Sequence, residues 1–158
     1  GRGDAPRGKM PVQPLPGKRF GVNSIATVTN LGVLRFLVFA GRFTAAVLLV
    51  FLARLLACRP GKVYVILDGH PSHRAKKVLA WAAAQTDRIR VVLLPLYSPE
   101  LNPAEYLNHD VKANAQRDGR ARDQEELAEK VRGYLRSTQQ ARGIVKGYFK
   151  AKHVSYAA

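Results

Sequence analysis

A chain of 158 residues, 47% hydrophobic and 23% charged, is long enough to bury one core and too apolar to be disordered. Lysine and arginine total 26 against 11 acids, and the resulting net charge of +15 points to a polyanionic partner, nucleic acid first; an arginine-rich genome is the blander origin of the same excess. One cysteine excludes an internal disulfide and a Cys-based zinc site, and the longest uncharged apolar run, Phe43 to Ala53, is 11 residues, about half of the ~20 needed to span a bilayer.

The elements read as follows in chain order. Residues 1–18 are rich in Gly, Pro, Lys and Arg and are expected to be a basic loop or arm without the apolar core of a signal peptide. The chain opens on Gly1, which suits a fragment or a processed product. Arg19 to Thr29 and Val33 to Phe39, separated by Asn30-Leu31-Gly32, have the pattern of a β-hairpin. Phe43 to Cys58 follows as a helix ended by Arg59-Pro60-Gly61, with Cys58 as a buried thiol.

Lys62 to Asp68 and Ile89 to Leu94 are short strands apolar on both faces, the mark of central strands covered by helices. Between them Ser72 is placed to cap a helix running to about Gln85, with Val78, Leu79 and Ala82 inward. The loop from Pro95 to Asn102 leads to a helix opened by Pro103. A last helix, Gln124 to Ser137, sets Leu127, Val131, Tyr134 and Leu135 on one side. Hairpin, helix, strand, helix, strand, helix predicts a mixed α/β sheet with helices on both faces. The organisation expected is an arm over 1–18, a core over 19–115 and a C-terminal helical extension of the same domain over 116–158.

Two acids stand where chemistry is done. Asp68 ends a central strand, beside the crevice in which open α/β sheets bind ligands; it could equally cap the turn Gly69-His70-Pro71. Glu105, 37 positions later, opens a helix in Asn102-Pro103-Ala104-Glu105, where Asn102 and Glu105 also fit a capping box. Together a strand-end Asp and a helix-start Glu can converge on a hard divalent cation, which takes a few carboxylates and keeps water for a phosphate. His70 and His73 suit helix entry or a phosphate contact better than zinc. Arg74, Lys76 and Lys77 crowd the following turn and suit phosphate, Asn102 both caps and borders the site, and Asp110 is expected to face solvent.

The segments Val65-Ile66-Leu67-Asp68-Gly69-His70-Pro71-Ser72-His73-Arg74 and Leu94-Pro95-Leu96-Tyr97-Ser98-Pro99-Glu100-Leu101-Asn102-Pro103-Ala104-Glu105 resemble the catalytic core of DDE transposases of the mariner-like superfamily, in their bacterial insertion-sequence branch. The likeness extends upstream through Ala5-Pro6-Arg7-Gly8 and Gly17-Lys18-Arg19 and downstream to Val154-Ser155-Tyr156. It implies a ribonuclease H-like fold and DNA strand cleavage and transfer with two Mg²⁺ or Mn²⁺ ions, Asp68 and Glu105 being catalytic acids and metal ligands. It implies DNA as partner (transposon ends and target), contacted by His70, His73, Arg74, Lys76, Lys77 and Asn102. A homodimer fits the same picture; a membrane does not, and the location implied is the bacterial cytoplasm, on the nucleoid.

Two departures qualify the match. The family's first acid lies on a strand before the Ala-Pro-Arg-Gly segment, and Asp4 stands in a Gly-rich stretch without strand character. The expectation is therefore an N-terminally incomplete catalytic domain, its first strand missing, inactive as given. The alternatives are an inactive DNA-binding remnant or a related ribonuclease H-like nuclease. The second departure is Asn108, where many relatives carry Trp.

Overall fold

Apolar alternation in the hairpin region builds the first layer. Our computed structural model describes residues 9–10, 21–95 and 98–158; Asp4, the Ala5–Gly8 and Gly17–Arg19 segments, the rest of the arm, and Leu96-Tyr97 lie outside them. Strands β1 (Lys9–Met10), β2 (Asn23–Val28) and β3 (Leu34–Phe39) form an antiparallel sheet in that order. The β2–β3 hairpin is registered from Asn23 opposite Phe39 to Val28 opposite Leu34. Its turn closes with Thr29 N–H on Val33 O at 2.9 Å and Gly32 N–H on Thr29 O at 3.0 Å. Gly32 has φ +86°, and a Cβ there would lie 2.8 Å from the Arg142 carbonyl oxygen, so backbone geometry and space both require glycine.

Helix α1 (Ala45–Ala57) begins where Thr44 Oγ1 accepts the Val47 N–H at 3.3 Å and ends before Gly61, at φ +83°. Cys58 is exposed rather than buried, because the helix ends there with only Leu48, Phe51, Leu52 and Leu56 turned fully inward. Strands β4 (Val63–Leu67) and β5 (Ile89–Leu93) pair in parallel, and α2 (Lys76–Ala83) lies in the crossover between them. The Arg88 guanidinium closes this unit by donating to the carbonyls of Leu56, Arg59 and Gly61 at 2.7–3.0 Å. One of those carbonyls belongs to the last turn of α1, which a cation complements.

Two sequence expectations change here. Among the described residues one face of the β4–β5 pair is left uncovered: Tyr64 is 66% exposed, and Ile66 and Val92 are each 42% exposed. The helix expected from Ser72 starts at Lys76, because Pro71–Arg74 form a separate 3-10 turn and Ala75 is extended at ψ 139°. The shift rotates Leu79 outward, while Val78 and Ala82 remain buried.

The chain then forms α3 (Ala104–Asn114), α4 (Gln124–Gln140) and α5 (Arg142–Gly147), with a final 3-10 turn at Lys152–Ala157. Asp123 caps α4 by accepting the Glu126 N–H at 2.8 Å. Leu107 and Val111 of α3 and Leu127, Val131 and Leu135 of α4 share one core with Leu34 and Val38 of β3. Ile25, from the other face of the hairpin, joins α1, α2, β4 and β5 in a second core around Leu48, Leu52, Val65, Leu67, Val78 and Ile89. Helices thus lie on both sides of the hairpin. No helix among the described residues is long and apolar enough to cross a membrane.

Candidate active site

Asp68 follows the last residue of β4, and its position there follows from the strand. Val65 and Leu67 are buried in the second core, and the carboxylate arrives at the strand's C-terminal end with the residue only 2% exposed. Its Oδ1 accepts the His70 N–H at 2.9 Å and lies 2.8 Å from His73 Nδ1. The same Nδ1 lies 3.1 Å from the Asp68 carbonyl oxygen. A carbonyl can only accept, so Nδ1 carries the proton and donates to that oxygen, with Oδ1 in close contact beside it. Oδ2 is buried and has no hydrogen-bond partner among the described residues. An orphaned buried acceptor costs about 1–3 kcal/mol, so a fold that keeps one at a strand end has made a place for a donor or a cation.

The 3-10 turn explains how His73 reaches back. His70 Nδ1 accepts the Ser72 N–H at 3.0 Å, and the His70 carbonyl accepts the His73 N–H at 2.9 Å. Phe43 meets both imidazoles edge-on, with centroids 5.0 Å from His70 and 5.6 Å from His73. His73 is 2% exposed, and its ring is turned inward onto Asp68. His70 is half-buried, whereas Arg74, Lys76 and Lys77 are exposed beyond the turn. His70 Nδ1 thus accepts within the turn, while His73 Nδ1 donates back to the Asp68 carbonyl.

Asn102 is buried and fixes the start of α3 by accepting the Ala104 N–H on Oδ1 at 3.0 Å. In a capping box the Asn102 N–H would depend on the Glu105 carboxylate; here it donates to the Pro99 carbonyl at 3.0 Å. Glu105 is the second residue of α3, half-buried, with its own N–H on the Asn102 carbonyl at 3.0 Å. Asn108 is buried at 6% exposure, in keeping with a packing position.

A cavity of about 460 Å³ joins these parts. Ile25 to Val28 of β2 line one side and Val63 to Leu67 of β4 the other, with Leu48 and Leu52 of α1 between; Asp68, His73 and Asn102 lie on its wall, and Ala104 brings the lining to the residue before Glu105. No residue of β5 lines it, and β1 pairs with β2 only at Ser24 and Ile25. Among the described residues the β2 edge beyond Ile25 and the β4 edge away from β5 therefore have no strand partner.

Hard oxygen donors suit Mg²⁺ or Mn²⁺, and the Asp68 oxygen meets that requirement. Among the described residues no three His, Cys, Asp or Glu side chains cluster as a metal site. Asp68 and Glu105 can supply two carboxylates, fewer than a pair of ions needs.

Sequence reasoning missed three contacts. Besides the His73–Asp68 pair, Tyr148 donates to Asp110 Oδ2 at 2.7 Å, so Asp110 is half-buried and bonded rather than solvent-facing. Burial, reinforced by that carboxylate, pushes the Tyr148 phenol far above its ordinary value. Tyr156 donates to the Leu101 carbonyl at 2.6 Å and is raised by burial as well. The spacing of five between Asp68 and His73, bridging a proline turn, was the only signal for the first; the tyrosine contacts span 38 and 55 positions and left none.

Known proteins agree with this architecture. A solved structure described as the Mos1 strand transfer complex matches 94% of this chain and 47% of its own, at 18% identity and TM-score 0.55. A second, the Mos1 transposase paired-end complex with left transposon end, matches 89% and 48% at 20% identity and TM-score 0.48. The chain thus spans about half the length of the solved chains it matches. The first likeness supports the ribonuclease H-like fold. No curated protein sequence matches significantly. The family model of the DDE superfamily endonucleases matches residues 1–128, from before the hairpin into α4 and across both Asp68 and Glu105, and the chain belongs to that superfamily.

Proposed function

We propose that this chain is the larger, C-terminal part of a transposase catalytic domain, which cuts and joins DNA by phosphoryl transfer with two divalent ions. One observation carries the reading: the buried, unpartnered Oδ2 of Asp68 at the end of β4, on the wall of the cavity that reaches the start of α3. In this reading Asp68 and Glu105 are metal ligands and catalytic acids, and Asn102 holds the first turn that carries Glu105. The metals, when bound, activate the attacking oxygen and stabilise the leaving one. Arg74, Lys76 and Lys77, with His70 beside them, hold the phosphates of transposon-end and target DNA, positioning the backbone without reading sequence. His73 is withdrawn from that set.

A third carboxylate has to join the two. The cavity between the unpartnered edges of β2 and β4 supports an extended segment seated between them, whose far end would meet Asp68. Without that acid a second ion has too few ligands, and a reaction that depends on positioning fails. The scarcity of carboxylates among the described residues also favours a second reading, a DNA-binding remnant without activity.

The test is a nicking assay on transposon-end DNA with Mg²⁺ or Mn²⁺, using this chain and an N-terminally extended version. We expect no cutting by the 158-residue chain, cutting by the longer one, and a loss of about 10³-fold or more in its Asp68→Asn and Glu105→Gln variants. Full activity in either variant would end the assignment of that acid. An inactive longer chain that still binds DNA would favour the remnant.

A further inference from the structure

The buried histidine beside Asp68 has no place in the chemistry described so far. It is 2% exposed, and Nδ1 donates to the Asp68 carbonyl at 3.1 Å and lies 2.8 Å from Oδ1 of the carboxylate. It therefore grips both the side chain and the main chain of Asp68. The His70 N–H also donates to Oδ1, at 2.9 Å. Both groups that approach this carboxylate thus meet one oxygen, and among the described residues the buried Oδ2 has no partner. The ring is itself held by an edge-on contact with Phe43 at 5.6 Å, so the donor cannot swing away without disturbing the α1 entry.

We propose that His73 is the positioning residue of the Asp68 site: by occupying Oδ1 it fixes the carboxylate plane and presents Oδ2 to the metal. The inference rests on the reading of Asp68 as a metal ligand. A free carboxylate rotates about its Cβ–Cγ bond and can chelate with both oxygens or offer either. Here rotation would break the hydrogen bond from the His70 N–H and the close Nδ1 contact, both on Oδ1, so the ligand atom and its direction are set before a cation arrives. Outer hydrogen bonds of this kind orient metal-binding side chains elsewhere and typically change metal affinity by about 10–100-fold.

The experiment titrates Mn²⁺ into the 158-residue chain and counts the free ion by electron paramagnetic resonance, with metal-free thermal unfolding as a check on folding. Asparagine at position 73 places an amide N–H where Nδ1 stood, whereas glutamine places it where Nε2 stood. His73→Asn is expected to bind within about threefold of the parent and His73→Gln at least about tenfold more weakly. Asp68→Asn separates the two claims. If the parent binds no Mn²⁺, or Asp68→Asn binds like the parent, the metal-ligand reading fails and takes this proposal with it. If Asp68→Asn loses the ion while the two position-73 variants bind alike, the site stands and the role of His73 is overturned. Should His73→Gln unfold, the asparagine variant decides alone: retained affinity upholds the proposal and a tenfold loss overturns it.

Discussion

The two halves of the molecule are finished to different degrees. Around the antiparallel hairpin, α3, α4 and α5 bury Leu34, Val38, Leu107, Val131, Leu135 and Val145, several of them to 1% exposure or less. Around the parallel pair, α1 and α2 cover one face and leave Tyr64, Ile66 and Val92 open on the other. Of the two candidate acids, Asp68 stands at the end of β4, in the open half, and Glu105 in the first turn of α3, in the closed one. The closed half supplies stability, while the neighbouring half keeps, among the described residues, strand edges without partners and a cavity beside its acid. The contrast explains why the carboxylate can stay buried without a partner: the closed half, not the site, holds the fold together.

The contrast can be broken by measurement. Leu135→Ala removes a side chain at 1% exposure from the closed core and is expected to cost about 2–5 kcal/mol in urea unfolding. A cost below about 1 kcal/mol would show that this half is looser than it looks.

Tyr148 gives a sharper probe of the same core. Its pKa is raised on folding by burial and by Asp110, so the native state holds the phenolic proton more tightly than the unfolded chain does. That contribution is complete below the unfolded value of about 10 and is lost as pH rises above it. Stability should therefore fall as pH rises above about 10, and less steeply in Tyr148→Phe. Equal slopes in the two proteins would show that the phenol is not buried as described.

The smallest effect is expected in the open half. Tyr64→Thr keeps a strand-forming residue at a 66% exposed position and should change the stability of this chain by no more than about 0.5 kcal/mol. A loss comparable to that of Leu135→Ala would mean that this face is covered, and the comparison between halves would collapse.

Much of this organisation was legible in the residues. Asn30-Leu31-Gly32 marked the hairpin turn because only a residue tolerant of positive φ closes it, and Leu127, Val131 and Leu135 marked α4 by their helical spacing. Asp68 and Glu105 were legible as a strand end and a helix start. What stayed hidden depended on contacts between distant or irregular segments. A run such as Val63-Tyr64-Val65-Ile66-Leu67 looks buried on both faces, yet sequence cannot say whether anything covers the second face. Ser72 looked like a helix cap because hydroxyls commonly serve there, but it lies inside a 3-10 turn from which His73 contacts Asp68, and the helix starts at Lys76. Asp110 looked solvent-facing because its partner, Tyr148, comes from another element 38 positions later.

The hairpin's dependence on late segments bears on how the chain is made. Gln139 donates to the Leu34 carbonyl across 105 positions, and the turn glycine, Gly32, packs against the backbone of Arg142. Ribosomes add about 5–20 residues per second, so the apolar face of the hairpin waits about 5–20 s before α4 can cover it. During that interval Leu34, Phe36 and Val38 form an exposed, β-prone surface on a nascent chain. Slowed translation between residues 40 and 140 would lengthen that exposure, so yield in cells should respond to holdase chaperones more strongly than the stability of the finished fold would suggest.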